Sequence, residues 1–216
     1  MKGLLIKDIL NMKNYMKQLI LLLVFFMAYG VFLKNGTFVG SMITLMLSMQ
    51  VITTMSYDEY AKWDKYALTM NINRKDVVLS KYVFFIMSIV IGMVVGIITS
   101  ITMNKINKLG TGMDEILATS IVVPCIFAIL FCIVIPIVFK TGVEKARIVM
   151  MAIFFIPAII VFAFVKIAEK SNIPMPDESV LEMILKFGVV GLIVLTILAI
   201  FISYKISLST YNKKEF

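Results

Sequence analysis

The stretch Ile116–Phe139, ILATSIVVPCIFAILFCIVIPIVF, is 24 residues long and contains no charged side chain. A helix of about 20 apolar residues is long enough to cross the hydrocarbon core of a bilayer. This stretch therefore predicts a transmembrane helix.

The composition of the whole chain points the same way. Of its 216 residues, 61% are hydrophobic and 16% are charged. Ordinary soluble domains are about 45–50% apolar and about 25% charged. A soluble fold could not bury this much apolar surface, so we expect an all-α integral membrane protein with a single transmembrane domain over residues 1–216.

Five further uncharged runs bring the predicted number of membrane spans to six. The predicted spans cover about residues 18–34, 36–56, 82–104, 116–139, 148–166 and 186–204. The first run is the shortest, but Lys17 and Lys34 at its ends can extend their ammonium groups to the membrane surface.

The distribution of basic residues predicts the orientation. With six spans, both termini lie on one side, and that side receives 15 of the 21 Lys and Arg residues. Because such residues concentrate in cytoplasmic segments, we expect a multi-pass protein with both termini inside the cell. The net charge of +8 then reflects topology and attraction to lipid, and no nucleic-acid partner is expected.

Residues 1–17 precede the first span and have an amphipathic pattern. Apolar residues recur at helical spacing, at Leu5, Ile9, Met12 and Met16. This pattern is typical of a helix lying in the membrane interface. The alternative is that these residues simply form the solvated start of the first span.

The segment 57–81 joins the second and third spans and is unusually rich in aromatic and charged residues. The stretch Ser56–Thr69, SYDEYAKWDKYALT, holds the only Trp of the chain and three Tyr. Asp58 and Lys62 have the i,i+4 spacing of a helical ion pair, which favours a short helix. Asn73 is a suitable N-cap for a second helix that continues into the third span.

Two interpretations of this segment remain open from the residues alone. Trp and Tyr anchor proteins at the headgroup level of membranes. Exposed aromatic residues among charges are also typical anchors of protein interfaces. The short charged loop at 140–147 is either a second contact or a plain turn.

The chain lacks the residues of the common catalytic and metal sites. It has no His, and Cys125 and Cys132 would lie about 10 Å apart along one helix, too far for a disulfide. It also has no G-x-x-x-x-G-K-[ST] phosphate-binding loop. We therefore expect no catalytic residue, no metal and no cofactor in this chain, and any ATP must be bound by another chain.

The second span carries two stripes of functional interest. Thr44 and Ser48 share one helical face, while Met42, Met46 and Met49 form another. Hydroxyl groups at this depth often bond to neighbouring helices. Alternatively, the adaptable Met side chains and the hydroxyls line a path for a substrate.

Gly92 and Gly96 in the third span form a pair of small residues four positions apart. Glycine pairs of this kind allow two helix backbones to approach closely in a membrane. We therefore expect tight packing of the third span against a neighbouring helix.

Taken together, the amphipathic N-terminus, the six spans and the segment between the second and third resemble a known family. The specific residues are the stretch from Ser56 to Met70, the sequence Asn73-Arg-Lys-Asp76 and the sequence Ser80-Lys-Tyr82. The pattern resembles bacterial type-2 ATP-binding-cassette (ABC) exporter permeases, closest to the short Firmicute permeases that include the phenol-soluble modulin exporter. Asn71 departs from that pattern, since family members often have Pro there.

The resemblance implies a half-transporter in a bacterial plasma membrane, made of two permeases, identical or related, and two cytoplasmic ABC ATPase subunits that bind ATP and Mg. The segment 57–81 would contain the coupling helix, which sits in a cleft of the ATPase. The implied docking residues are Asp58, Glu59, Trp63, Asp64, Tyr66, Arg74 and Lys75. The implied path runs between two protomers and is lined by the second and fifth spans, with Phe154 and Phe155 contributed by the fifth.

The resemblance implies an ATP-driven exporter. The few polar groups of the spans and the Met-rich second span favour amphipathic or hydrophobic cargo, with cytolytic or antimicrobial peptides as the expected substrates. The spans carry no charge at their centres, which argues against a proton-driven carrier. Two alternatives remain: a peptide-immunity permease that clears toxic peptides, and a membrane scaffold that transports nothing.

Overall fold

The computed structural model describes residues 2–13, 15–70, 72–107, 112–170 and 178–214, and within these ranges the chain is helical and contains no strand. The all-α fold is therefore confirmed. The helices are α1 (Lys2–Lys13), α2 (Met16–Leu33), α3 (Gly36–Tyr60), α4 (Trp63–Thr69), α5 (Arg74–Asn107), α6 (Met113–Thr141), α7 (Val143–Lys170) and α8 (Glu178–Asn212).

Five of these helices are long and apolar enough to cross a membrane, namely α2, α3, α5, α6 and α8. The predicted span at 148–166 falls within α7, a helix of 28 residues in which several side chains lie outside the described set. The protein is thus multi-pass, with five candidate spans among the described residues, and the sixth span stays a prediction.

The helices extend beyond most of the predicted spans, and two differences affect the segments next to the first and second spans. The predicted helix over residues 1–17 ends at Lys13, and a turn follows in which the Tyr15 N–H donates to the Met12 carbonyl at 2.8 Å. The second span runs on to Tyr60, four residues past its predicted end. The helix expected after Asn73 does begin at Arg74.

The closest helix packing joins α3 to α5, and α6 packs extensively on α8. A Cβ atom added at Gly40 would lie 2.7 Å from the Gly96 carbonyl oxygen, and one added at Gly92 would lie 3.0 Å from the Thr44 Cα. Only residues without a side chain fit at such distances. The predicted close packing at Gly92 and Gly96 is confirmed.

The outer helices expose apolar side chains rather than polar ones. On α2, Leu21 is 71% and Phe32 is 81% exposed, and α8 likewise leaves most of its span uncovered. Lipid tails can cover such surfaces without cost, whereas water cannot. The exposed apolar surface therefore agrees with a position in the membrane.

Candidate functional site

The charged segments of the chain meet at one end of the bundle, which we call the basic end. It comprises α1, residues 57–81, residues 140–147 and residues 205–214. Side-chain contacts link residues 57–81 to each of the other three parts. The basic end therefore forms one connected unit, although its parts are far apart in sequence.

Four charged side chains form a buried cluster at this end. The Lys7 Nζ lies 2.6 Å from Asp58 Oδ1 and 3.4 Å from Asp8 Oδ1. The Lys81 Nζ lies 2.8 Å from Asp8 Oδ1 and 2.6 Å from Asp58 Oδ2. The side chains of Asp8 and Lys81 are only 0% and 3% exposed. We call these four residues the charge cluster.

The charge cluster joins three helices, because its members come from α1, α3 and α5. Two positive and two negative charges balance, and each carboxylate contacts both ammonium groups. Burying an ion is costly unless such partners replace water.

The predicted pair of Asp58 with Lys62 is wrong: α3 ends at Tyr60, and Lys62 has a left-handed backbone with φ of 51°.

The helix α4 turns two of its predicted docking residues toward the protein. Trp63 is half-buried, with the Lys7 Nζ 4.5 Å from its ring centroid and its own Nε1 buried. The Asp64 carboxylate accepts a hydrogen bond from the Tyr211 hydroxyl at 3.0 Å and lies 3.9 Å from the Lys214 Nζ. Burial raises the pKa of Asp64 above its usual value, and the contacts with Tyr211 and Lys214 oppose that shift.

Two more of the predicted residues bind helix ends. The Glu59 Oε2 accepts a hydrogen bond from the Val143 N–H, the first residue of α7, at 2.6 Å. The Arg74 Nη1 donates to the carbonyls of Tyr211 at 3.1 Å and Asn212 at 2.5 Å, at the end of α8. A carboxylate at a helix start and a cation at a helix end both satisfy unpaired backbone groups and complement the helix dipole.

A different set of side chains on this segment points outward. Tyr60 is 69%, Tyr66 60% and Met70 53% exposed, and Lys62 and Lys65 between them are exposed too. We call these five residues the outer face. Of the seven predicted docking residues, only Tyr66 belongs to it, while Lys75 is exposed on the first turn of α5.

The predicted site residues did not include three members of the charge cluster and four of the outer face, namely Lys7, Asp8, Lys81, Tyr60, Lys62, Lys65 and Met70. One signal was available for Asp8. It lies four residues after Leu4, so the two share a helical face, and both are buried. An acidic residue on an apolar helical face often has a buried partner. The identity of that partner could not be deduced from spacing along the chain.

The predicted hydroxyls of the substrate path lie in the packed interface between helices. Thr44 is 2% exposed, and its hydroxyl lies 2.9 Å from the Gly40 carbonyl and 3.1 Å from the Gly92 carbonyl. Ser48 is fully buried and donates to the Thr44 carbonyl at 2.8 Å. In this conformation both hydroxyls satisfy backbone groups of the bundle.

The predicted apolar members of the path are more accessible. Met42 and Met46 are half-buried, and Met49 is 38% exposed. On α7, Phe154 packs its ring 6.1 Å from that of Phe131, a core residue, whereas Phe155 is 66% exposed. Met49 and Phe155 are thus the predicted path residues with the most open surface.

The fold and the basic end define a class of protein. It is a multi-pass helical membrane protein in which residues 57–81, between two spans, present an exposed surface. A family model of ABC-2 family transporter proteins matches residues 3–212, and the chain belongs to that family. It is therefore the membrane subunit of an ABC transporter, and the family implies an ABC ATPase as its partner. No curated protein and no solved structure matches the chain.

Proposed function

We propose that this chain is the membrane-spanning subunit of an ATP-driven exporter of amphipathic or hydrophobic cargo, with the basic end in the cytoplasm. The observation that carries the proposal is that residues 57–81 contact α1, α7 and α8 inside the protein and still present an outer face. ATP and Mg are bound by the partner ATPase, which docks on that face.

The chemistry of the outer face fits a protein partner. Tyr60 and Tyr66 are the residue types that dominate binding energy at interfaces, and Met70 adds adaptable apolar surface. Lys62 and Lys65 make the face positively charged, so its partner surface is apolar at the centre and acidic at the rim. Glu59 and Asp64 form hydrogen bonds with α7 and α8. A movement of the outer face would therefore be transmitted directly to these two helices.

Two permeases pair with two ATPase subunits, and the cargo path between them is lined by α3 and α7. Met49 and Phe155 support this lining, because both are exposed and apolar. Cytolytic or antimicrobial peptides are the proposed cargo, as for the phenol-soluble modulin exporters that residues 56–82 resemble.

The test replaces the two outward-facing tyrosines. Tyr60→Ala combined with Tyr66→Ala should leave the chain folded in the membrane and reduce co-purification of the ATPase at least about tenfold, as expected when two interface anchors are lost. The measurement is purification of the tagged chain in mild detergent, followed by quantification of a partner that carries a phosphate-binding loop.

The matched control is Tyr29→Ala combined with Phe32→Ala, which removes two exposed aromatic side chains from α2. This variant should retain the ATPase fully. If the Tyr60 and Tyr66 variant also retains the ATPase, the docking role of the outer face is wrong. A stable chain that never co-purifies with an ATPase would overturn the exporter proposal as a whole.

A further inference from the structure

A side cavity of about 370 Å³ lies beside the outer face, between α3, the start of α7 and the turn that joins α1 to α2. This volume falls within the range of about 300–1,000 Å³ that is typical of small-molecule sites. The residues that line it are Tyr15, Met49, Ile52, Thr53, Ser56, Tyr57, Tyr60, Val143, Arg147 and Met150.

The lining of the side cavity is amphipathic. Ile52 and Val143 are buried, and with Met49 and Met150 they supply the apolar part of the wall. Hydroxyl groups of serine, threonine and three tyrosines supply the polar part. A ligand that fits this wall therefore has an apolar portion and a polar portion.

Arg147 gives the side cavity its charge. None of the described lining residues is acidic, and Arg147 makes no ion pair with a carboxylate in the described part of the chain. Arginine presents a planar set of donors that matches a phosphate or carboxylate. Arg147 is exposed, and with no carboxylate partner among the described residues it favours, beside an apolar wall, a ligand with an anionic head.

The side cavity also lies next to a surface suited to lipid. Ile148 and Met151, which follow Arg147 on α7, are 73% and 64% exposed. Tyr15 and Tyr57 pack with ring centroids 5.1 Å apart at its edge, and tyrosine prefers the headgroup level of a membrane. A bilayer lipid could thus reach Arg147 with its headgroup while its tail follows the exposed face of α7.

We propose that the side cavity binds the phosphate headgroup of an anionic phospholipid from the inner leaflet, with Arg147 as the phosphate ligand. The exposed side chains of Ile148 and Met151, in the first turns of α7, receive the acyl chain, whereas Phe155 lies further along the helix in the proposed cargo path. This inference relies on the proposed orientation of the basic end but not on the ATPase or on the cargo. A lipid held between α3, α7 and Tyr60 would touch the outer face, and would thereby link membrane composition to the docking platform.

The test measures lipid retention by the purified full chain, without an ATPase. Native mass spectrometry in mild detergent with added phosphatidylglycerol should show bound lipid on the unchanged chain. Arg147→Gln should reduce that binding about tenfold, because a charge-assisted hydrogen bond is lost. Phosphatidylcholine, which has no net charge, should bind much less to the unchanged chain.

The matched control is Lys145→Gln, which removes an exposed charge two residues away that does not line the cavity. Retention of phosphatidylglycerol should be unchanged in this variant. Equal losses in the Arg147 and Lys145 variants would mean diffuse surface attraction and overturn the proposal.

Ser56→Phe fills the cavity and keeps every charge, so it should also reduce retention of phosphatidylglycerol. Displacement of the lipid by equimolar inorganic phosphate would show a free-anion site instead and would equally overturn it.

Discussion

At the scale of single residues, the charge cluster is held by four short ion contacts. Asp8 and Lys81 lie 2.8 Å apart, with side chains only 0% and 3% exposed, at the point where α1 contacts α5. Removing one partner of a buried ion pair leaves the other charge without compensation, which costs more than the pair itself contributes. The cluster therefore holds α1 in place through charge balance as well as through packing.

Lys81→Met should destabilise the protein by about 3–5 kcal/mol, because Asp8 and Asp58 would each lose a close positive partner. Asp8→Asn combined with Lys81→Met should cost less than the sum of the two single changes, since the double variant removes one charge of each sign. Thermal unfolding in detergent, followed through the fluorescence of Trp63 or by calorimetry, measures both effects.

The matched control on the same helix is Lys75→Met, at an exposed position. It should change stability by less than about 0.5 kcal/mol, as exposed substitutions usually do. A Lys81 variant as stable as the Lys75 variant would show that the charge cluster does not hold the basic end together.

At the scale of elements, the contact of α3 with α5 determines where the other parts lie. Gly36, Gly40, Gly92 and Gly96 bring the two backbones together. Because α3 leads into the segment 57–81 and α5 follows it, their close contact fixes both ends of that segment. The outer face is thus presented by a rigid pair of helices.

Gly40→Ala should therefore destabilise the protein by about 1–3 kcal/mol, the usual cost of forcing extra atoms into a packed interface. Its Cβ would meet the Gly96 carbonyl oxygen at 2.7 Å and the Ser100 hydroxyl at 2.6 Å, and the backbone contact cannot yield without moving a helix. The change in midpoint of thermal unfolding measures the effect.

Gly191→Ala on α8 is the control, since an added Cβ there meets nothing within 4 Å. It should be neutral or stabilising by up to about 1 kcal/mol, because alanine favours a helix over glycine. Equal stability of the Gly40 and Gly191 variants would contradict the close packing of α3 on α5.

At the scale of the whole molecule, the distribution of charge predicts the orientation of the bundle in the membrane. In a background with Cys125 and Cys132 replaced by Ala, Lys65→Cys and Lys145→Cys should react with an impermeant thiol reagent only after the cells are opened. Lys34→Cys, in the exposed turn between α2 and α3, should react in intact cells. The physical reason is that the positively charged end is retained in the cytoplasm.

Labelling of Lys65→Cys in intact cells would invert the proposed orientation and remove the outer face from the reach of a cytoplasmic ATPase. Opposite labelling of Lys65→Cys and Lys145→Cys would show that an odd number of spans separates them. The three positions together therefore test on which side of the membrane the basic end lies. They also test whether the chain returns to that side after α5 and α6.

The sequence alone determined the membrane class, the all-helical fold and the start of α5 after Asn73, because hydropathy, helix length and capping are properties of neighbouring residues. It also predicted the permease family through the segment from Ser56 to Tyr82, and the family match confirms the ABC-2 type. Its relation to the phenol-soluble modulin exporters stays a prediction.

Only the tertiary structure decided which charges of residues 57–81 face inward and which side chains are left for a partner. Asp58 was paired with Lys62 by spacing, yet it binds Lys7, 51 residues away in sequence, together with Lys81 on α5. Trp63, one of the seven predicted docking residues, is half-buried with its ring against the Lys7 ammonium of α1, and its docking role stays a prediction. Such contacts depend on how each helix is rotated and crossed against the others, and spacing along one helix carries no information about that rotation.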